Sequence, residues 1–306
     1  MRAESCFRAM GTDVHVVVHG SEAQAAAAAA RRRIDDLEDR WSRFRPTSEI
    51  SRLAQRSGAP CLVSDDTFLL IERAVEAWGA TAGRYDPTVG AAMVLNGYDR
   101  DFARLARTDS LDLRPAGPAA AAPGCDDVVL DAELRLVIIP EGTLLDPGGV
   151  AKGLAADLLS SELIAAGADG VAVNVGGDLR VRGLGPDEGR WPISIEDPLR
   201  PGEELRRIAV YDRGVATSSV LRRRWRHLGV ARHHVIDPRT GLPAATALAG
   251  VTVIANDAWW GEAVATEMLL DPDPEHAVQV RADVSAMGVL HDGTVLMSPD
   301  LESAFA

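Results

Sequence analysis

Cysteine is scarce and unpatterned in this sequence: Cys6, Cys61 and Cys125 are far apart and odd in number. That spacing suggests neither a disulfide framework nor a zinc site built on cysteine pairs, and it fits a reducing compartment. Long apolar runs are also missing. No stretch reaches the roughly 18 residues of a membrane span, and the alanine run 25–30 leads straight into Arg31, Arg32 and Arg33. Met1 to Arg8 lack the apolar segment of a secretion signal. The expectation is a cytoplasmic protein with no membrane insertion. Positive charge is in deficit: 32 Lys and Arg against 45 Asp and Glu leave a net −13. Such a balance opposes non-specific binding to nucleic acid or to an anionic membrane, so no nucleic-acid partner is expected. Neither the Gly-x-Gly-x-x-Gly fingerprint of dinucleotide folds nor the Gly-Lys-Ser/Thr of a P-loop occurs.

What remains is an ordinary soluble composition, 46% hydrophobic over 306 residues. Val14 to Val18 reads as a first strand. Ser21 caps a long helix whose Ile34, Leu37, Trp41 and Phe44 recur at spacings of three and four. Asp65 or Asp66 caps another, through Trp78. Residues 111–127, rich in proline and alanine, read as a surface excursion inside a domain. Val128–Leu130 and Leu134–Ile139 form a hairpin, a helix follows Gly149, short strands fill 171–217, and Glu262–Leu270 is a final amphipathic helix. Helices and strands mix without a regular βαβ rhythm, which makes the fold class α+β.

Four segments carry chemistry. Asp146-Pro147-Gly148-Gly149 before a helix offers backbone amides and a helix N-terminus to phosphate, with Lys152 in the first turn. Taken alone it reads as a tight strand-to-helix turn with a solvated lysine. Asn174-Val175-Gly176-Gly177-Asp178 lets a flat ligand, or simply another strand, come close. Glu262 and Thr266, four apart, share a helix face and offer oxygens of the kind Mg²⁺ prefers; an acid near a helix start also has a purely structural use. His234, three residues before Asp237, sits ahead of a turn set by Pro238 and Gly241 and is a general-base candidate near neutral pH. The run Arg222-Arg223-Arg224-Trp225-Arg226 binds anions or is a solvated face.

In this order the segments resemble the ApbE family of FAD:protein FMN transferases, over most of the chain. The resemblance runs through Ala9–Thr12, Ser42–Leu53, Tyr85–Gly90, Asp146–Gly153, Asn174–Asp178, Ala216–Ser218, His234–Gly241 and Glu262–Thr266. It implies one ApbE-like domain over 1–306, with T-fold-related mixed sheets, packed helices and a ligand site in the cleft between halves. It also implies Mg²⁺-dependent transfer of FMN from FAD to a Thr or Ser hydroxyl of a client protein, releasing AMP. Two alternatives stay open: an FAD pyrophosphatase giving FMN and AMP, and a non-catalytic flavin-binding protein. By position, Met10, Phe44, Arg84, Tyr85, Asp86, Asp146, Lys152 and Ile236 match FAD-contacting residues. The main-chain carbonyl near Gly149, with Glu262 and Thr266, matches the metal site, and His234 and Asp237 match the catalytic pair. The chain departs from the family at Glu262, usually Asp, and at Ser219, usually a glycine whose freedom at positive φ shapes a loop. It also departs in showing no export or lipid-anchor signal.

Overall fold

The computed structural model describes residues 1–105 and 119–301. In chain order the elements are β1 (Arg2–Ala9), β2 (Thr12–His19), α1 (Ala23–Trp41), α2 (Glu49–Gln55), β3 (Cys61–Leu62), α3 (Asp65–Ala80), α4 (Gly90–Leu95) and α5 (Phe102–Leu105). Then come β4 (Val129–Asp131), β5 (Leu136–Ile138), α6 (Ala151–Ala165), β6 (Gly170–Val175), β7 (Asp178–Gly183), β8 (Trp191–Glu196), β9 (Glu204–Val210) and β10 (Gly214–Ser219). The chain continues with β11 (Arg224–His227), β12 (Val230–His233), β13 (Ile236–Asp237), β14 (Leu242–Pro243), β15 (Leu248–Ala255), α7 (Ala258–Leu269), α8 (Pro274–Gln279), β16 (Ser285–Leu290) and β17 (Val295–Met297). The α+β class expected from the sequence is what the structure has. The described chain forms two compact units, one of residues 1–36, 151–219 and 246–306, the other of residues 37–150 and 220–245.

The first unit is built on an eight-stranded sheet in the order β1-β2-β6-β7-β10-β15-β16-β17, antiparallel throughout. Strand alternation sends Val17, Ala172, Leu179, Val181 and Val215 to one face, where Trp191, Ile195, Ile208 and Val210 of the β8–β9 hairpin pack on them. The other face meets α6 and α7. Covering on both faces explains why Val16 to Val18 and Val171 to Val173 are buried without interruption. The strand β1 escapes a hydropathy reading because its exposed positions are polar and charged.

Helix α7 differs from the amphipathic helix expected. Nine of its 12 residues are buried, which is the pattern of a helix enclosed on nearly all sides. Its start is held by α6: Asp157 accepts from the amides of Ala258 (3.0 Å) and Trp259 (2.9 Å) and pairs with Arg180. Four residues earlier, on the same face, Gly153 lies so close to α7 that a Cβ there would sit 2.5 Å from the Ala258 carbonyl group.

The second unit carries α2–α5, a three-stranded sheet ordered β3-β5-β4 and the small ladders β11–β12 and β13–β14. Ser64, not Asp65 or Asp66, caps α3, its hydroxyl accepting from Thr67 N–H at 3.3 Å. Within the expected excursion, residues 111–118 lie outside the described residues. Residues 119–127 are mostly exposed, but the Ala122 amide donates to the Pro238 carbonyl at 2.7 Å, which ties this stretch to the turn after His234.

Replacing a helical glycine by alanine ordinarily stabilises by about 0.5–1 kcal/mol. At Gly153 the sign reverses, because the new methyl meets backbone. Gly153→Ala is expected to cost about 1–3 kcal/mol, read as a lower urea midpoint at unchanged slope; a midpoint at or above wild type contradicts the close packing of α6 on α7.

Candidate functional site

In the first unit the chemistry gathers where α6, α7 and β7 begin. Lys152 Nζ donates to both Asp178 Oδ2 and Glu262 Oε1. The Gly153 amide, in the first turn of α6, donates to Glu262 Oε2 at 2.9 Å. Side-chain exposure is 2% for Asp178, 3% for Glu262 and 16% for Lys152. Two carboxylates thus share one ammonium out of water, a net −1 by formal count. Burial pushes the Glu262 carboxyl above its usual range; the Asp178 charge adds to this, and Lys152 and the Gly153 amide oppose it. Asp178 Oδ1 is buried and has no hydrogen-bond partner among the described residues. Thr266, one turn beyond Glu262, donates its hydroxyl to the Glu262 main-chain carbonyl at 3.2 Å.

Two tight turns adjoin this cluster. Met10 and Gly11, at φ 51° and 68°, join β1 to β2. Gly176 and Gly177, at φ 67° and 102°, join β6 to β7. A Cβ on Gly176 would lie 2.3 Å from Thr12 Oγ1, while one on Gly177 would meet nothing within 4 Å. The first glycine of the pair therefore makes room for the Thr12 side chain, and the second faces open space. Methionine in the left-handed region is a strained choice, so Met10 holds its place against a local cost.

In the second unit Asp146 pairs with Arg43 Nε at 2.9 Å, its Oδ1 accepts from the Gly148 amide at 2.9 Å, and its own amide donates to the Pro87 carbonyl. The Arg43 guanidinium lies over Phe44 (4.2 Å) and Tyr98 (4.6 Å) and donates to the Tyr98 carbonyl. Phe44 and Ile236 belong to one apolar cluster with Tyr98 and Trp225. Tyr85 is buried, and Arg84 is half-buried beside it. Asp86 is committed locally: its Oδ1 accepts from the Thr88 amide (2.7 Å) and hydroxyl (2.6 Å). Burial raises its carboxyl against those bonds.

His234 is half-buried between β12 and β13. Asp237, at the end of β13, gives both oxygens to Arg239 at 3.0 Å. Burial alone would raise the Asp237 carboxyl, and the Arg239 bonds more than reverse it. The turn is fixed by the Thr240 and Gly241 amides on the Asp237 carbonyl and by Asn96 Nδ2 on the Gly241 carbonyl at 2.8 Å.

Lys152, Glu262 and Thr266 are brought together in the first unit, which also contains Met10. Phe44, Arg84, Tyr85, Asp86, Asp146, Gly149, His234, Ile236 and Asp237 lie in the second. Sequence reasoning missed Asp178, Arg43, Tyr98 and the Gly153 amide as site residues. Asp178, Arg43 and Gly153 stand inside segments singled out by motif, and only their neighbours in space reveal their partners. One expectation is corrected: Ser219 is not a loop residue needing positive φ. It ends strand β10 opposite Gly250, and its hydroxyl donates to the Ala249 carbonyl at 2.6 Å. Lys152, expected at a phosphate, is engaged by two carboxylates, and the Gly148 and Gly153 amides are taken by Asp146 and Glu262.

Removing the ammonium strands two adjacent buried carboxylates. Lys152→Met is expected to cost about 3–5 kcal/mol in urea unfolding. Adding Glu262→Gln should recover part of that, with a coupling above about 1 kcal/mol; additive losses contradict the cluster.

A family model described as the ApbE family matches residues 10–287. The curated FAD:protein FMN transferase of Vibrio cholerae is 30% identical over 244 residues, covering 78% of this chain and 71% of that one. The protein of the same name from Treponema pallidum is 30% identical over 230 residues, covering 70% of this chain and 62% of that one. The crystal structure of the ApbE protein of Thermotoga maritima aligns with a TM-score of 0.86, at 26% identity and 99% coverage of both chains. Flavin transferase ApbE from Vibrio cholerae aligns at 0.78 and 22% identity, with 99% of both chains covered. With a family model spanning 10–287 and relatives at 30% identity, this chain belongs to the ApbE family.

Proposed function

We propose that this protein is an FAD:protein FMN transferase: it moves FMN from FAD to a Thr or Ser hydroxyl of a client protein and releases AMP. The observation that carries the reading is the buried Lys152–Asp178–Glu262 cluster beside the Met10–Gly11 and Gly176–Gly177 turns, in a chain whose curated relatives bear that activity in their names. The whole chain is read as one ApbE-like domain, since the family match spans segments of both units.

The donor set suits Mg²⁺. Glu262 and Thr266 offer hard oxygens one helical turn apart, the cluster keeps a formal −1, and Asp178 keeps a buried oxygen with no hydrogen-bond partner among the described residues. Glu262 and Thr266 would hold the ion, which when bound neutralises charge on the diphosphate. The chain's own residues do the rest. Lys152, held by Asp178 and Glu262, presents a fixed positive charge. Met10, Phe44, Arg84, Tyr85, Asp86, Asp146 and Ile236 bind and orient the flavin nucleotide, Phe44 and Tyr85 through their aromatic surface. His234 takes the proton of the acceptor hydroxyl as its oxygen bonds to the FMN phosphorus and the P–O bond to AMP breaks. Asp237, tied to Arg239, fixes the turn that follows His234. Among the described residues no helix is long and apolar enough to cross a membrane.

The test is incubation with FAD and Mg²⁺, with and without peptides bearing Thr or Ser, followed by mass spectrometry. A peptide gaining the mass of FMN, with AMP released, supports transfer. FMN and AMP with no modified peptide supports the hydrolase, and unchanged FAD supports a binding protein. His234→Ala should lower transfer by on the order of 10²–10⁴-fold while leaving FAD affinity near wild type; transfer at the normal rate removes His234 as base.

Glu262→Ala should raise the Mg²⁺ concentration for half-maximal transfer, and Glu262→Asp should preserve activity or improve it. An alanine variant with unchanged Mg²⁺ dependence returns Glu262 to a structural role beside Lys152.

A further inference from the structure

A second set of charges joins the same three elements as the Lys152 cluster, and the flavin chemistry does not use it. In the cluster, α6 supplies the cation Lys152, while β7 and α7 supply the anions Asp178 and Glu262. In the second set the signs are reversed. Helix α6 supplies the anion Asp157, and β7 supplies the cation Arg180, whose Nε lies 3.2 Å from Asp157 Oδ1. Helix α7 supplies the positive end of its dipole: the Ala258 and Trp259 amides donate to the two Asp157 oxygens at 3.0 and 2.9 Å. Asp178 and Arg180 are alternate residues of β7 and so share the sheet face that meets α6 and α7. Leu179 and Val181 turn to the β8–β9 hairpin instead. Asp157 and Arg180 are 7% and 3% exposed. Arg180 Nη2 also donates to Asp212 Oδ1 at 2.9 Å, and Arg182 lies 3.7 Å from that oxygen and 4.0 Å from Asp257.

Two features mark this set as fixing the place of α7 rather than only ending the helix. A local cap is at hand, since Asp257 holds the N-cap position, yet its side chain makes no capping bond. The acid that takes the amides comes from α6, 101 and 102 residues away. Burial pushes its carboxyl up to about 7, with Asp257 adding to the rise and the two amides and Arg180 opposing it. The second feature is steric. A Cβ on Gly153 would lie 2.5 Å from the Ala258 carbonyl group, and one on Gly214 of β10 would lie 2.4 Å from the Ala258 amide nitrogen. The first turn of α7 is thus seated against backbone from α6 and β10.

We propose that Asp157 and Arg180 are positioning residues for the metal site: by fixing where α7 starts, they set where the Glu262 carboxylate and the Thr266 hydroxyl stand, and so the affinity for Mg²⁺. The inference rests on reading the site as one that holds Mg²⁺ with FAD. Glu262 stands four residues beyond Ala258, a rise of about 6 Å, and Thr266 four residues further. A shift of the first turn therefore carries both oxygens with it, and Mg²⁺ demands near-octahedral geometry at short distance. Asp157 and Arg180 act through the helix, not by touching the ion.

The measurement is FAD affinity by flavin fluorescence as Mg²⁺ is titrated, on the full protein at about pH 8, above the Asp157 value. Asp157→Asn keeps the shape, loses the charge and turns an NH₂ group toward the helix amides. It should raise the Mg²⁺ concentration for half-maximal tightening by about tenfold or more, with FAD affinity in EDTA unchanged. Arg180→Gln should shift it in the same direction, and Arg180→Lys should recover most of the loss. Asp257→Asn, at the unused cap, should keep the wild-type Mg²⁺ dependence. A merely structural role would lower the urea midpoint of Asp157→Asn and leave its Mg²⁺ dependence unmoved, and that result overturns the proposal. So does an Asp257→Asn variant that behaves like Asp157→Asn. Hydrogen exchange on the wild type tests the same link with no variant to fold. Coupling is reciprocal, so FAD with Mg²⁺ should slow exchange of the Ala258 and Trp259 amides; unchanged exchange there contradicts the proposal. FAD binding that ignores Mg²⁺ in the wild type overturns the reading of the site as a Mg²⁺ centre, and this proposal with it. Normal Mg²⁺ dependence in the wild type with unmoved variants overturns this proposal alone.

Discussion

One ammonium between two buried carboxylates constrains much of the first unit. Lys152 comes from the first turn of α6, Asp178 from the start of β7 and Glu262 from the second turn of α7. Each charge costs several kcal/mol to remove from water, so none is tolerable without the others. That requirement explains local choices which otherwise look unrelated. Gly153 lacks a side chain because α6 and α7 must touch there for its amide to reach Glu262. Asp157 caps α7 one turn later and holds the helix that carries Glu262. Gly176 and Gly177 turn the chain so that Asp178 starts β7 at the same end of the sheet.

The second unit solves a different problem with similar means. Arg43 lies over the neighbouring rings of Phe44 and Tyr98 while bonded to Asp146, so one guanidinium contacts an aromatic pair and a carboxylate at once. Arg239 holds both oxygens of the Asp237 carboxylate within the turn after His234. In both places an arginine acts as a brace for a loop.

Much of this was legible before folding. The stripe Ile34, Leu37 and Trp41 announces α1 because those positions must be dry. Asp146 to Gly153 announces a strand-to-helix turn because glycine, proline and acid at that spacing admit few conformations. The partner of Lys152 was not legible, because 26 and 110 residues separate it from Asp178 and Glu262. A phosphate was the natural assignment for a lysine at a helix start, and only tertiary packing reveals two carboxylates there. Ser219 misled for the opposite reason: a family glycine suggested positive φ, whereas the backbone at that position is an extended strand that serine tolerates. The strand β1 stayed hidden because its partner β2, not its own hydropathy, makes it a strand.

The central claim is that the Lys152–Asp178–Glu262 cluster is the charge centre around which a flavin diphosphate and a divalent cation assemble. The direct measurement is FAD affinity by titration calorimetry, in Mg²⁺ and in EDTA. If cation and diphosphate are held by one centre, their binding is linked, and a coupling of typically 5–150-fold in affinity is expected. FAD should bind more tightly in Mg²⁺ by a factor in that range. The same FAD affinity in Mg²⁺ and in EDTA would contradict the account.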